Sequence, residues 1–376
     1  TEGWPAGLQI AALSLQKQED PTAFIRGFSG SHRYVVDYLM EQVLARQSER
    51  VQDFLLATSV LERMCGPLCD AITGGEDSQH ILETLEQANL FILPLDDERR
   101  WYRYHHLFAD FLRRRLHRLQ PEIVPQLYLR ASQWYEHQGM VEEAIDYALA
   151  GEDATRAARV LDEHAEAFVF DAQVSKLIRL ANRLPEEAWC RFPRLCIYYA
   201  WALQFELQLE ATESALACAE AHLDSTVPGT GSPLAAFSAS QIIHHARAIR
   251  VYMAVQRGEP GLVVELARAA LEALSANAVD EPRVVRGAVT LGLGIGHFEL
   301  GQTEAAYALV WLWIFNPLYG PLNAILQALG LPAPAWLAEP ATARLAMVRV
   351  LDSTTAGPSS GHDFFIYNNI THPEQT

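Results

Sequence analysis

The sequence predicts a mainly all-α chain with one small β-hairpin, and three observations carry that expectation. First, the run Trp101–Leu116 (WYRYHHLFADFLRRRL) changes period part-way. Trp101, Tyr102, Arg103 and Tyr104 alternate like a short strand, and from His106 onward Leu107, Phe108, Phe111, Leu112 and Leu116 share one helical face. Second, Leu90–Leu95 (LFILPL) supplies a partner strand, with Asp96-Asp97-Glu98 as the turn. Third, from Pro125 the chain reads as successive helix-turn-helix pairs punctuated by glycine.

Residues 3–18 are predicted to form one helix, with Leu8, Ala11, Ala12 and Leu15 on a common face. Helices follow at Tyr34–Arg46, Gln52–Leu61, Leu68–Ile72 and Ser78–Ala88, the last with Ser78 as its N-cap. Several short helices, a hairpin and a closing helix make a winged-helix unit, expected over residues 20–120. Beyond it the predicted helices pair as Leu127–His137 with Val141–Ala150 and Thr155–Phe168 with Val174–Arg183. Then come Leu195–Leu207 with Glu210–Leu223, Ala239–Val255 with Gly261–Leu274, and Arg283–Glu299 with a helix from Thr303. Trp134, Tyr135, Gly139, Ala144 and Ala148 resemble the small/large pattern of tetratricopeptide repeats, in which small residues let helices approach and aromatic residues fill the next gap. The turn glycines Gly258 and Gly301 lie further apart than the usual repeat of about 34 residues, so the array over 121–304 is expected to be irregular. Residues 227–233 (VPGTGSP) read as a loop.

From 305 to 338 no charged residue occurs until Glu339. Asn316-Pro317 and Pro321 interrupt this stretch well before the roughly 20 continuous apolar residues that a membrane span needs. Residues 305–376 are therefore expected to be an atypical apolar segment followed by a disordered tail. Net charge is −17, from 29 basic and 46 acidic residues, which opposes the phosphate backbone and argues against general nucleic-acid binding. The sequence contains five cysteines and opens on Thr1-Glu2 without a secretory pattern, so free thiols in a reducing cytoplasm are expected. Cys65 and Cys69 lack a second Cys/His pair at zinc-finger spacing and read as two small apolar residues. The chain begins without Met inside a recognisable motif, which predicts a piece of a longer protein.

Tyr104-His105-His106-Leu107 resembles the Met-His-Asp-Leu box that closes the winged-helix part of STAND-type NTPases. With TEGWPAGLQIAALSL (1–15) and FLLATSVLERMCGPLCDAITG (54–74), the chain resembles MalT-like LuxR regulators, large ATP-dependent bacterial transcription activators, over about residues 1–300. Residues 310–337 are instead similar to part of a sugar-type ABC-transporter permease. The regulator resemblance implies that residues 1–19 end an NTPase helical module. It implies that Gly7 and Leu8, at the start of a Gly-Leu-Pro-like box with Gln9 in place of Pro, lie near adenine. It also implies that His105 approaches the β-phosphate of bound ADP, where an imidazole N–H can donate to a phosphate oxygen. His106 stands where Asp is usual. On the residues alone, His105 reads equally as a histidine satisfied at a strand end.

No G-x-x-x-x-G-K-[ST] occurs, so no enzyme activity and no cofactor are expected in this chain, ATP and ADP being bound by the full-length parent. GLGIGHFEL (292–300) reads as repeat-helix packing. Arg113-Arg114-Arg115 with His117 and Arg118 reads as cations near a helix C-terminus. His244 and His245 point to different faces of a helix and cannot share a metal, and no metal site is expected. Trp134, Tyr135, Tyr199 and Trp201 are candidates for lining an effector groove, since the resemblance implies that maltose-responsive members bind their effector in the repeats; with Tyr198 and Phe205 they also read as core. The function expected by resemblance is the signal-sensing and autoinhibitory portion of such an activator. Its expected partners are the missing NTPase and LuxR DNA-binding domains and a small-molecule effector or regulatory protein. The alternatives are a helical-repeat interaction scaffold and, through 305–338, a membrane transport component.

Overall fold

The computed structural model describes residues 44–88, 90–223, 237–276, 283–314, 322, 325 and 326. The expected helix at 3–18, most of that at 34–46, the loop at 227–233, and nearly all of the segment from 315 on lie outside the described residues, as do Gly7 and Leu8. The described residues are mainly helical, with a single two-stranded sheet among them. They fall into two compact units that part between Leu161 and Asp162, inside a helix.

The first unit opens with α1 (Glu49–Thr58), α2 (Gly66–Thr73) and α3 (Ser78–Gln87). α1 begins three residues earlier than the apolar periodicity suggests, because the Ser48 hydroxyl accepts from Val51 N and starts the helix there. Ser78 is the first helical residue of α3 rather than its cap; its N–H donates to Asp70 Oδ1 at 3.0 Å. The hairpin pairs β1 (Ile92–Pro94) with β2 (Tyr102–Tyr104) antiparallel, Ile92 opposite Tyr104 and Pro94 opposite Tyr102. Met64 adds an isolated bridge to Tyr102, exchanging N–H and C=O bonds of 2.7 and 2.8 Å. At the turn the Asp96 carboxylate accepts from the N–H groups of Arg100 and Trp101. α4 (His106–Leu119) closes the unit, burying Leu107, Phe108, Phe111, Leu112 and Leu116 as their spacing predicts. These side chains share a core with Leu55, Met64, Leu68, Ile72 and Leu82, each at most 4% exposed.

After a 3-10 turn at Pro121–Ile123 come α5 (Val124–His137), α6 (Val141–Ala150) and α7 (Ala154–Phe170). Glu136 of α5 is held by Arg156 and Arg159 of α7. Arg156 Nε also donates to Ser132 Oγ, which donates to Ala144 O at 2.7 Å. The second unit contains α8 (Val174–Ala181), the short α9 (Glu186–Trp189), α10 (Pro193–Phe205) and α11 (Leu209–Ala221). It continues with α12 (Ala239–Gln256), α13 (Pro260–Ala276), α14 (Arg283–Glu299) and α15 (Thr303–Ile314). α12 opens with a capping box between Ser238 and Gln241. Gly292 and Gly296 let α14 approach its neighbours: a Cβ at 292 would meet Val251 Cγ1 at 2.6 Å, and one at 296 would meet Val263 Cγ1 at 2.8 Å.

One turn recurs through these helices. Gly139, Glu152, Ala172, Leu207, Gly258 and Gly301 all have left-handed φ, from 56° to 76°. In each case the next residue's N–H reaches back five carbonyls, as Met140 to Tyr135 (2.9 Å), Asp153 to Ala148 (2.9 Å) and Gln208 to Leu203 (2.9 Å). This is the helix-ending motif that glycine favours, yet half of these positions carry a side chain.

Two features depart from the sequence reading. Cys190 and Cys218 are joined by a disulfide rather than free, because the ends of α9 and α11 bring their Cα atoms to 5.2 Å. The helix α9 was not visible, being a single turn between Pro185 and Pro193. No helix of the described residues is long and apolar enough to cross a membrane.

The left-handed turns give a direct test. Leu207 is 68% exposed at φ 59°, so Leu207→Gly removes backbone strain and little packing. It should raise stability by about 1 kcal/mol, and Gly258→Leu at the matching turn should lower it by a similar amount. Urea unfolding of the two variants beside the parent chain checks both signs.

Candidate functional site

The strand β2 passes into α4 through His105. Its N–H donates to Phe91 O at 2.8 Å, and its carbonyl accepts from Phe108 and Ala109 at 2.9 and 3.0 Å. The imidazole is 3% exposed, and its Nδ1 accepts from Leu107 N at 3.3 Å, capping the helix. With Nδ1 an acceptor, a ring proton is carried on Nε2. Phe91, which anchors His105 through its carbonyl, has φ 59° and rests its ring 4.9 Å from that of Phe108. His106 stacks on His105 with centroids 4.5 Å apart. Beside it a cavity of about 180 Å³ is lined by residues including Arg103, His106, Arg113, Glu62 and Asp110. Neither sign of charge dominates it.

A second cluster fastens the winged helix to α5 and α6. The Arg63 guanidinium lies 4.7 Å from the Trp101 ring centroid and 6.0 Å from that of Tyr135, and pairs with Glu143 at 2.7 Å. Tyr135 stacks on Tyr147 with centroids 5.2 Å apart. The Tyr147 hydroxyl accepts from Glu62 N at 3.0 Å, and burial pushes that phenol up. Trp134 meets Trp101 edge-on at 6.3 Å. Arg130 donates to Ile72 O at 2.6 Å, satisfying a carbonyl in the last turn of α2.

In the second unit an aromatic group joins α10 to α12. Trp201 Nε1 donates to His245 Nδ1 at 3.1 Å, and the Trp201 ring is 5.9 Å from both Phe205 and Tyr252. Tyr252 OH donates to Ala288 O on α14 at 2.9 Å, and Gln256 donates to Gln204 O at 2.8 Å. Burial, with a smaller contribution from neighbouring His244, pushes His245 down to about 4. A cavity of about 300 Å³ opens between α11, α12 and α13, with Met253, Ala254, Leu262 and Leu266 as its apolar lining and Glu213, Arg250 and Arg257 as its charged lining. Arg250 is held by Glu213 and Glu220, which raise its guanidinium. Glu186, Cys190 and Cys218 place one carboxylate oxygen and two sulfurs within 4.8 Å of one another.

The four aromatic candidates fall in different compact units, Trp134 and Tyr135 in the first, Tyr199 and Trp201 in the second. Tyr135 is wholly buried at the Arg63 junction, and Tyr199 is 8% exposed with its hydroxyl donating to Asn182 Oδ1 at 2.7 Å. Trp134 and Trp201 keep partial exposure. Sequence reasoning missed Arg63 and read His245 only as one of two histidines on different helix faces: an arginine in a loop and a histidine on a helix give no signal of the ring each faces.

Residues 40–124 match the MalT winged helix domain. The hairpin, His105 and α4 all lie within that match, so the similarity to the MalT domain covers the whole strand–helix boundary. The chain is also 37% identical over 202 residues to serine/threonine-protein kinase PknK of Mycobacterium tuberculosis and of Mycobacterium bovis. That match spans 54% of this chain and 18% of the kinase's length. A structure of a Signal Transduction ATPase with Numerous Domains (STAND) protein with a tetratricopeptide repeat sensor, from Pyrococcus horikoshii, aligns with 96% of this chain and 60% of its own, at TM-score 0.40 and 13% identity.

Two outcomes follow from the junctions. Arg63→Ala should lower stability by about 1 kcal/mol, and Arg63→Lys should recover only part of it, since an ammonium cannot stack as a planar guanidinium does; thermal unfolding followed by Trp fluorescence reads both. For His245, whose ordinary value near 6.5 falls to about 4 on folding, the unfolded chain binds a proton that the folded chain refuses between those values. Stability is thus complete above pH 6.5 and falls as pH drops toward 4, by at most about 3 kcal/mol. His245→Gln should flatten that slope in denaturant titrations at stepped pH.

Proposed function

We propose that the chain is the signal-sensing and restraining portion of an ATP-dependent, MalT-like transcription regulator of the LuxR class, acting in the cytoplasm and carrying no catalysis of its own. The observation that carries this reading is the Arg63 junction, which ties a MalT-type winged helix to the first helical pair by stacking, ion pairing and buried tyrosines. A change in helical packing at α5–α6 would alter that junction directly. His105 stands at the strand–helix boundary where the Met-His-Asp-Leu box carries its histidine, which supports a nucleotide contact by the winged helix once a phosphate-binding module is joined to it. ATP or ADP would belong to that module, and a LuxR-type domain would contact DNA. An effector surface in the second unit is supported by the cavity of about 300 Å³, whose apolar lining is joined by Glu213, Arg250 and Arg257.

A scaffold reading has one observation in its favour. Phe298, Leu300 and Tyr307, on or next to α14 and α15, are 44–59% exposed. The two readings separate in a regulator that contains this chain together with its phosphate-binding and DNA-binding modules. Arg63→Ala should there raise transcription without effector several-fold, because the register of the winged helix on α5 and α6 is loosened and the restrained population falls. Unchanged basal transcription with unchanged effector response removes the restraining role and leaves the scaffold.

A further inference from the structure

We infer that Glu186, Cys190 and Cys218 form a thiolate site for a zinc-class divalent cation, available when the Cys190–Cys218 bridge is reduced. Cys190 caps the C-terminus of α9, Glu186 is the first residue of that same turn, and Cys218 lies on α11. Glu186 Oε1 is 4.0 Å from Cys218 Sγ, and the three ligand atoms lie within 4.8 Å of one another. Two sulfurs bound to one tetrahedral zinc stand about 3.8 Å apart, at Zn–S of about 2.3 Å, so the span suits such an ion.

The backbone spacing does not depend on the bridge alone. Trp189 of α9 meets Tyr199 edge-on at 5.2 Å, and Tyr199 is tied to Asn182 at 2.7 Å. α11 is fixed separately by buried Thr212, Ala215, Leu216 and Ala219. Reduction therefore leaves two sulfurs and a carboxylate facing one another. As thiolates they would bring three negative charges together in a chain of net charge −17, and a dication relieves that repulsion.

The other thiols are poor ligands. Cys196 donates to Trp189 O and Cys190 O at 3.5 and 3.8 Å, and burial pushes its thiol up. Cys65 and Cys69 are buried in the first unit with their thiols likewise raised. Glu186 is exposed and Cys218 half-buried, so both reductant and cation have access. Reduction by a dithiol proceeds through attack of its thiolate on Cys218 Sγ, with Cys190 leaving as thiolate; the second thiol then displaces Cys218 and the reductant leaves as a disulfide. Cation binding releases the two thiol protons, and solvent completes the coordination.

The test uses the full chain reduced with a trialkylphosphine, which takes oxygen from water as the disulfide becomes two thiols. After removal of the phosphine without air, Co²⁺ and then Zn²⁺ are titrated. One equivalent should bind, with a sulfur-to-cobalt charge-transfer band that Zn²⁺ displaces. Diamide, which takes up the two hydrogens as the disulfide reforms, should abolish binding. Cys190→Ser and Cys218→Ser should each weaken it at least about 100-fold, Glu186→Gln about 10-fold, and Cys65→Ser and Cys69→Ser not at all. Far-ultraviolet circular dichroism confirms that each chain is folded, and Glu186→Gln keeps the bridge in any case. No binding by the folded reduced chain, or binding that survives diamide or Cys218→Ser, overturns the inference.

Discussion

The Arg63 guanidinium fixes how the first helical pair meets the winged helix, and its chemistry explains why an arginine is needed there. One planar cation faces the Trp101 ring, approaches Tyr135 and still reaches Glu143. Its ion pair is more than a third exposed on both sides, so water screens it and the pair itself contributes little. A stacked cation adds about 0.5–1 kcal/mol. The larger stabilisation comes from burying Tyr135 and Tyr147, at 0% and 8% exposure, since burying a large side chain contributes about 2 kcal/mol or more. Apolar burial thus supplies the strength of the junction, and the polar contacts supply its register. Glu62 N and Ile72 O are both satisfied by groups from α5 and α6, so the helical pair cannot shift without orphaning backbone atoms.

Much of this architecture was legible in the residues. Periodicity located α6 and α14 at their observed limits, Val141–Ala150 and Arg283–Glu299, because Gly139 and Gly151 flank the first and Pro282 and Gly301 the second. The hairpin was legible because alternation stops at a helix-period run. Less regular features were hidden for physical reasons. α9 is one turn long, too short for any period. Glu152, Ala172 and Leu207 hold left-handed turns that sequence reserves for glycine, each closed by the N–H of the next residue reaching back five carbonyls. Phe91 is a further case: its strained backbone aims a carbonyl at His105, a constraint that acts across the hairpin and leaves no local mark.

The candidate residues show the same division. His105 stood out through its motif, and its position at the strand–helix boundary explains its burial and its tautomer. The aromatic residues stood out through composition, which does not say which face of a helix is inward. Trp134 and Tyr135 are neighbours in sequence and both meet the winged-helix cluster, one through Trp101 and the other through Arg63. Tyr199 and Trp201 lie two apart, and their rings go to different partners, Trp189 and His245. Spacing narrowed the list, and burial then assigned the roles.

The distribution of arginine bears on what the surface can meet. Arg113, Arg130 and Arg194 each donate to a backbone carbonyl, of Ser59, Ile72 and Asp162 respectively. Arg156 and Arg159 converge on Glu136, and Arg250 on Glu213 and Glu220. These guanidinium groups are spent on internal acceptors, where their fixed fork geometry is an advantage over lysine. An acidic excess of 17 charges remains. Such a field repels a phosphate backbone and favours cationic partner surfaces. With Arg113 turned to Ser59 O, the basic run that begins there works in part as internal structure, joining α4 to the segment that follows α1.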